Sequence, residues 1–193
     1  MARVDIRVEK RKLRLEFKDI RRNMKKSEKS KKDFAILDRL LGLSEYKNAE
    51  VVFTYVSNDI EVDTKVFIQK ALLDGKTVAV PRCTEGKIEM KFYVISSLDD
   101  LEPGAFGVLE PKLENSNELT KYSNAVCILP GLGFDLQGYR LGYGKGYYDR
   151  FLANFKGKNI GVCYNSCLKT LIPHGKYDKN ADILITEKFV KRF

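Results

Sequence analysis

Apolar positions near the N-terminus recur at helical spacing. Leu13, Phe17, Ile20 and Met24 stand at i, i+4, i+7 and i+11, one apolar stripe on an otherwise charged rod, and predict a basic helix over about residues 4–25. Ser27 can cap a second helix in which Phe34, Leu37, Leu40 and Leu41 face inward and Gly42 ends it. The period then changes. Val51–Val56 is rich in β-branched and aromatic residues, as strands are. Asp63 and Thr64 can cap a helix carrying Val66, Phe67, Lys70 and Leu73, closed by Gly75. Thr77–Val80 is a short apolar strand ended by Pro81. Lys87–Ile95 alternates through Ile88, Met90, Phe92 and Val94, the pattern of a strand with one wet face. Ala125–Leu129 is apolar throughout, as expected of a strand buried on both faces. A helix over Tyr147–Phe155 and strands over Asn159–Tyr164 and Ile183–Thr186 complete the series.

Strands alternating with helices imply an α/β fold, a mostly parallel sheet with helices on both faces in a Rossmann-like three-layer arrangement. The 193 residues suit a single domain, with the basic N-terminal helix docked on it. The longest uncharged apolar runs, such as Ala125–Pro130, fall far short of the roughly 20 residues of a membrane span. Met1–Val8 has no apolar signal core, so secretion is not indicated. Cys83, Cys127, Cys163 and Cys167 are scattered, three of them in strand-like segments where thiols pack as small hydrophobes. The expectation is a monomer in a reducing cytoplasm.

The net charge of +9 suggests a polyanion partner until it is located. Residues 1–33 carry 14 Lys/Arg against 6 Asp/Glu, whereas the remaining 160 carry 21 against 20. The charge belongs to one end of the chain. Such an end can bind nucleic acid, be a solvated helix face, or supply cations to a phosphate site. The aromatic and glycine pattern of an RNA-binding segment is absent around it, so neither nucleic acid nor membrane is expected as a partner.

Open parallel sheets bind ligands at the carboxyl ends of their strands. By far the richest such segment comes directly after Ala125–Leu129. It reads Pro130-Gly131-Leu132-Gly133-Phe134-Asp135, then Arg140-Leu141-Gly142-Tyr143-Gly144-Lys145-Gly146-Tyr147-Tyr148-Asp149. Alternate glycines let the backbone approach a ligand closely, and consecutive amides in such a turn form an anion nest. A helix beginning near Gly146 aims its positive end at the same place. Arg140 and Lys145 add full charges, a fork and a mobile point, which together suit a polyphosphate. The spacing is that of neither a Walker motif nor the dinucleotide fingerprint.

The run from Leu129 to Asp149 resembles the Pro-Gly-Leu-Gly-Phe-Asp and Arg-Leu-Gly-x-Gly-x-Gly-Tyr-Tyr-Asp pattern of the 5-formyltetrahydrofolate cyclo-ligase family. The resemblance extends over nearly the whole chain, through Lys10 and Arg14 in the basic helix, Val56 and Glu61 after the first strand, Pro81-Arg82 after the second, Phe106-Gly107-Val108 with Glu110-Pro111, and Asp178 and Asp182 before the last strand. It implies conversion of 5-formyltetrahydrofolate and ATP to 5,10-methenyltetrahydrofolate, ADP and phosphate, with Mg²⁺. Carried over, Lys10, Arg14, Arg140 and Lys145 would hold ATP phosphates, with Leu141, Gly142, Tyr143, Gly144, Gly146, Tyr147 and Tyr148 lining the same site. Val56, Glu61 and Phe106 match folate-contacting positions, and Tyr143, Gly144, Lys145, Gly146 and Tyr147 border the folate as well. Asp149 and Asp178 match positions that bind Mg²⁺. Tyr143 departs from the pattern, standing where some members have arginine.

These residue types suit that reaction. The formyl group on N5 is an amide, with a poorly electrophilic carbon and a poor leaving group. Moving the γ-phosphoryl of ATP to the formyl oxygen remedies both, after which N10 attacks the carbon and phosphate departs. Phosphoryl transfer needs positioning and charge neutralisation, not a dedicated nucleophile. That agrees with a chain whose one histidine, His174 in an expected surface loop, has no Ser or Cys partner in sequence pattern. Lys10 and Arg14, four apart on one helical face, can reach one anion together, while Lys25, Lys26, Lys31 and Lys32 are expected to be merely solvated. Two other readings fit parts of the pattern. One is a sugar-phosphate isomerase or small-molecule kinase on a similar scaffold, which folate would not stimulate. The other is a basic nucleic-acid-binding module, whose binding would weaken steeply with salt and map to residues 1–33.

Overall fold

The computed structural model describes residues 5–193, apart from the side chain of Phe106. The basic stripe forms helix α1 (Ile6–Arg22), capped by Asp5, whose carboxylate accepts from the Arg7 N–H at 2.8 Å. Helices α2 (Lys26–Gly42) and α3 (Ser44–Asn48) lead into strand β1 (Val51–Thr54), helix α4 (Lys65–Leu73) and strands β2 (Thr77–Cys83) and β3 (Met90–Ile95). A small hairpin comes next, β4 (Leu101–Pro103) with β5 (Leu109–Pro111), and then the central strand β6 (Ala125–Leu129). Short strands β7 (Gly133–Asp135) and β8 (Arg140–Leu141) precede helix α5 (Tyr147–Leu152). The chain ends with β9 (Lys158–Val162), β10 (Leu168–Lys169), β11 (Ile183–Ile185) and β12 (Val190–Arg192).

Seven strands form the main sheet in the order β12-β11-β9-β6-β1-β2-β3. The five inner strands are parallel, and the edges β12 and β3 run antiparallel to their neighbours. The fold is therefore α/β with a mostly parallel sheet, as the alternation of elements implies. Side chains of successive strand residues point to opposite faces, and burial here is divided accordingly. Val52, Val126, Ile128, Ile160 and Val162 join one core, with Ile36 and Leu40 of α2 and Phe67 and Ile68 of α4. Val51, Phe53, Cys127 and Leu129 join the other, with Phe17 of α1 and Leu152 of α5. All five residues of β6 are buried, which explains why its sequence is apolar without alternation. A second sheet, β10-β7-β8, lies in the layer of α1.

Several elements differ from the sequence reading. Lys25, not Ser27, stands at the α2 N-cap, and no side chain caps it. Phe34 is 70 % exposed because it lies roughly 200° around the helix from buried Ile36. In α4 the buried residues are Phe67, Ile68 and Ala71, whereas Val66 and Leu73 face solvent. Strand β2 runs through Pro81, which lies beyond Ala79, the last residue paired with β1; a proline is tolerated where a strand is paired on one side. Ile88 falls outside β3 and is exposed, and α5 ends at Leu152, short of Phe155.

Helix α1 docks by its stripe. Phe17 is fully buried and Leu13 and Ile20 pack beside it, while Met24, past the helix end, reaches the opposite core. At the same end Arg21 is buried, donating to Ile60 O at 3.1 Å and Gly131 O at 2.5 Å. Gly133 permits this close approach, since a Cβ there would strike the Phe17 ring and the Cys167 carbonyl. Phe17→Ala is accordingly expected to lower unfolding free energy by about 3–5 kcal/mol, and Gly133→Ala by about 1–3 kcal/mol through overpacking. Chemical denaturation measures both. A silent Phe17→Ala would mean that α1 is not held by its apolar face.

Candidate active site

Strands β1, β2 and β6 deliver their carboxyl ends to one side of the sheet, and a cavity of about 550 Å³ opens there. Tyr55, Val56, Asn58 and Glu61 come from the segment after β1, Cys83 from the end of β2, and Pro130 from the end of β6. Strand β8, the loop after it and the first turn of α5 contribute every residue from Arg140 to Asp149. Helix α1 adds Lys10 and Arg14, and the segment before β11 adds Asp178. The sequence-predicted residues Lys10, Arg14, Val56, Glu61, Arg140–Asp149 and Asp178 thus line a single cavity. Phe106 lies outside the described side chains.

The loop takes its shape from two glycines: Gly144 has φ +97° and Gly146 φ +76°, conformations that side chains rarely adopt. Gly146 is also the N-cap of α5. That helix has only six residues, so the macrodipole expected here is short, and attraction for anions rests mainly on side-chain cations. Two of the cations at the floor are already matched. Lys10 Nζ lies 2.6 Å from Asp178 Oδ2, and Arg140 Nη2 lies 2.7 Å from Asp149 Oδ1. Arg14 Nε donates to Gly142 O at 2.9 Å, fixing its guanidinium against the loop. Lys145 is exposed at the loop's tip, and Arg140 is 7 % exposed. Burial works against the Asp178 charge, but bonds from Lys10 and the Gly175 N–H hold its carboxyl below the usual range.

The same cavity also has a buried acid in its wall. Glu61 is 5 % exposed, and its Oε2 accepts from the Asn58 N–H at 3.0 Å. Burial pushes its carboxyl above the usual range, while the Asn58 N–H, the Tyr143 hydroxyl and the charges of Arg21 and Lys29 pull it back. Burial pushes the Tyr143 hydroxyl up to about 12, with Glu61 adding to the effect. Tyr147 and Tyr148 both line the cavity; the Tyr147 hydroxyl meets Lys87 O at 3.5 Å, whereas the buried Tyr148 hydroxyl has no partner among the described residues.

Among the described residues there is no group of three or more His, Cys, Asp or Glu arranged to hold a metal ion. Mg²⁺, however, is usually held by one or two carboxylates together with substrate phosphates. Asp149 and Asp178 fit that pattern. Their ion pairs use Oδ1 and Oδ2 respectively, leaving the second oxygen of each outside those bonds, and the Lys179 N–H, next to Asp178, donates to Asp149 at 3.4 Å.

Other residues singled out by sequence lie elsewhere. Arg82 turns from the cavity to Glu102 Oε1 at 2.7 Å and Pro111 O at 2.5 Å. Asp182 accepts from the Asn159 N–H. His174 is half-buried, its ring stacked on Tyr139 at 3.6 Å, so it is not the plain surface residue expected. Lys32 pairs with Glu28 at 2.8 Å and Glu187 at 3.7 Å instead of being merely solvated. Sequence reasoning missed Tyr55, Asn58, Cys83 and Glu110 as parts of the cavity wall. Of these, Asn58, three residues before Glu61 and just after a strand, and Glu110 beside Pro111 carried a signal.

Fold and cavity define an open α/β domain with a cavity at its strand ends in which Lys10 pairs with Asp178 and Arg140 with Asp149, the place where enzymes of this architecture bind their substrates. The chain belongs to the 5-formyltetrahydrofolate cyclo-ligase family, whose profile matches residues 6–187. The 5-formyltetrahydrofolate cyclo-ligase of Mus musculus is 26 % identical, the match covering 97 % of this chain and 98 % of the relative. That of Haemophilus influenzae is 30 % identical over 79 % of this chain and 83 % of its own. The structure of Aquifex aeolicus 5,10-methenyltetrahydrofolate synthetase superposes with a TM-score of 0.82 at 33 % identity, covering 95 % of this chain and 92 % of that one.

Neutralising Lys10 and Arg14 together should raise the Michaelis constant for ATP or lower turnover, whereas neutralising the exposed Lys25, Lys26 and Lys31 should change neither. Steady-state kinetics decide. Activity lost in the second variant and kept in the first would place the functional cations outside this cavity.

Proposed function

We propose that this protein converts 5-formyltetrahydrofolate to 5,10-methenyltetrahydrofolate, with ATP converted to ADP and phosphate. The observation that carries the reading is one cavity at the strand ends that is lined by Lys10, Arg14, Arg140 and Lys145, by Val56 and Glu61, and by the whole run Leu141–Tyr148. The cations hold the polyphosphate, and the folate ring lies toward Glu61, whose carboxylate accepts its N–H donors. The formyl oxygen then attacks the γ-phosphorus while the bond to ADP breaks. N10 attacks the activated carbon, its proton leaves, and the carbon–oxygen bond breaks with release of phosphate. Asp149 and Asp178 would hold Mg²⁺, which neutralises charge on the phosphates when bound. The remaining task of the chain is to align the two substrates and spread negative charge over Arg140, Arg14 and Lys10. The protein acts as a cytoplasmic monomer on these two small molecules.

The defining assay is the appearance of methenyltetrahydrofolate absorbance from 5-formyltetrahydrofolate with and without ATP–Mg²⁺. Product is expected only when all components are present; ATP turnover stimulated by sugar phosphates instead of folate would replace this reading with a kinase or isomerase. For the metal, Asp149→Asn and Asp178→Asn should each shift the Mg²⁺ titration of activity to higher concentration, because the amide keeps the shape and loses the charge. Wild-type titration curves for both would make these aspartates structural.

A further inference from the structure

The β4–β5 hairpin supplies Val108, Leu109 and Glu110 to the cavity wall. Its strands have three residues each and make a sheet of their own beside the main one. A two-stranded hairpin is at best marginally stable by itself. Leu101 roots the first strand in the core, but the second strand, which carries the cavity residues, is tied to the end of β2 by side chains. They reach in both directions. Arg82 Nη1 donates to Glu102 Oε1 at 2.7 Å and to Pro111 O at 2.5 Å, one acceptor on each strand of the hairpin. Glu110 reaches back: its Oε1 accepts from the Cys83 N–H at 3.1 Å, and its Oε2 lies 3.9 Å from Arg82 Nε. Cys83 lies beyond Ala79, the last β2 residue paired with β1, so the carboxylate stands in for a strand partner at that amide.

Gly104 makes this junction possible. Glu110 is buried, and a Cβ at Gly104 would strike its Cγ, Cδ and Oε2. We propose that Arg82 and Glu110 are positioning residues: they clamp the β4–β5 hairpin to the end of β2 and so set the wall against which the rings of the folate pack. The inference deepens the function proposed above and rests on it. The chemistry of the wall favours that occupant. Val108 and Leu109 are aliphatic, Glu110 is an acid already bonded, and among the described residues the hairpin gives the cavity no cation. Such a surface suits a flat, uncharged ring system and disfavours phosphate. Arg82 itself does not line the cavity, so it acts through the hairpin alone.

The test uses two variants outside the cavity lining. Arg82→Met keeps the stem of the side chain and removes its donors. Gly104→Ala leaves every bonding group in place and displaces Glu110 from the other side. Each is expected to raise KM for 5-formyltetrahydrofolate about tenfold, the weight of one charge-assisted hydrogen bond, with KM for ATP as in the wild type. Because both loosen one hairpin, the double variant should fall short of the product of the two effects. A merely structural role would lower the melting temperature and move both Michaelis constants together. Either variant suffices if the other fails to fold. Unchanged KM for the folate in a folded variant overturns the inference. So does a rise in KM for ATP in place of the folate, which would give this wall to the nucleotide. A wild-type protein that forms no methenyltetrahydrofolate overturns the proposed function, and the inference with it.

Discussion

A single buried guanidinium ties the functional end of the molecule together. Arg21, 3 % exposed, donates to the carbonyls of Ile60, after β1, and Gly131, after β6, and stands 5.3 Å from the ring centre of Tyr164, after β9. Three neighbouring strands of the sheet are thereby joined at their carboxyl ends to one helix. Burying a charge is costly unless its donors are satisfied. Here two backbone carbonyls and an aromatic face meet the guanidinium, so dipoles that the strand ends supply in fixed positions offset much of that cost, although its Nε has no partner among the described residues. The Tyr164 hydroxyl donates to Asp33 of α2, at 2.6 Å, and lies 3.0 Å from Glu61 O, which extends the same junction to the opposite layer.

From that anchor the geometry of the cavity is set. Arg14 and Lys10 lie two and three turns before Arg21 on the same face of α1, so fixing Arg21 and Phe17 fixes where the two cations emerge. The basic charge of the N-terminus is thus divided by burial. Lys10 and Arg14 enter the cavity, Arg21 enters the core, and Lys29 and Lys32 pair with Asp33, Glu28 and Glu187. These cations have local structural partners, and a polyanion bound along α1 would meet the outward residues instead, such as Arg11, Lys12 and Arg22.

Legibility in the sequence has a physical pattern. Ala125–Leu129 was readable because a strand covered on both faces must be apolar at every position, and the loop Arg140–Asp149 because three glycines and two cations in one turn have few other uses. The hairpin β4–β5 and the strands β7, β8 and β10 are two or three residues long, too short to show any period. Phe34 misled because hydrophobicity alone does not say which side of α2 meets the sheet. Arg21 could not be distinguished from the other cations of its helix, since its distinction lies in the carbonyls it meets across the chain. The Asn58–Tyr143 contact spans 85 positions and left no trace in either segment.

The pairing of charges inside the cavity has a consequence for how it binds. Lys10, Arg14 and Arg140 around one 550 Å³ space would repel one another, and Asp178 and Asp149 offset that repulsion. The same bonds hold the cations in place, so a polyphosphate bound as proposed would meet donors that are already oriented. Its binding energy would be the difference between two sets of charge-assisted bonds, those to phosphate and those to carboxylate that yield to them. A site built this way would trade some affinity for order, because the donors are held before the ligand arrives.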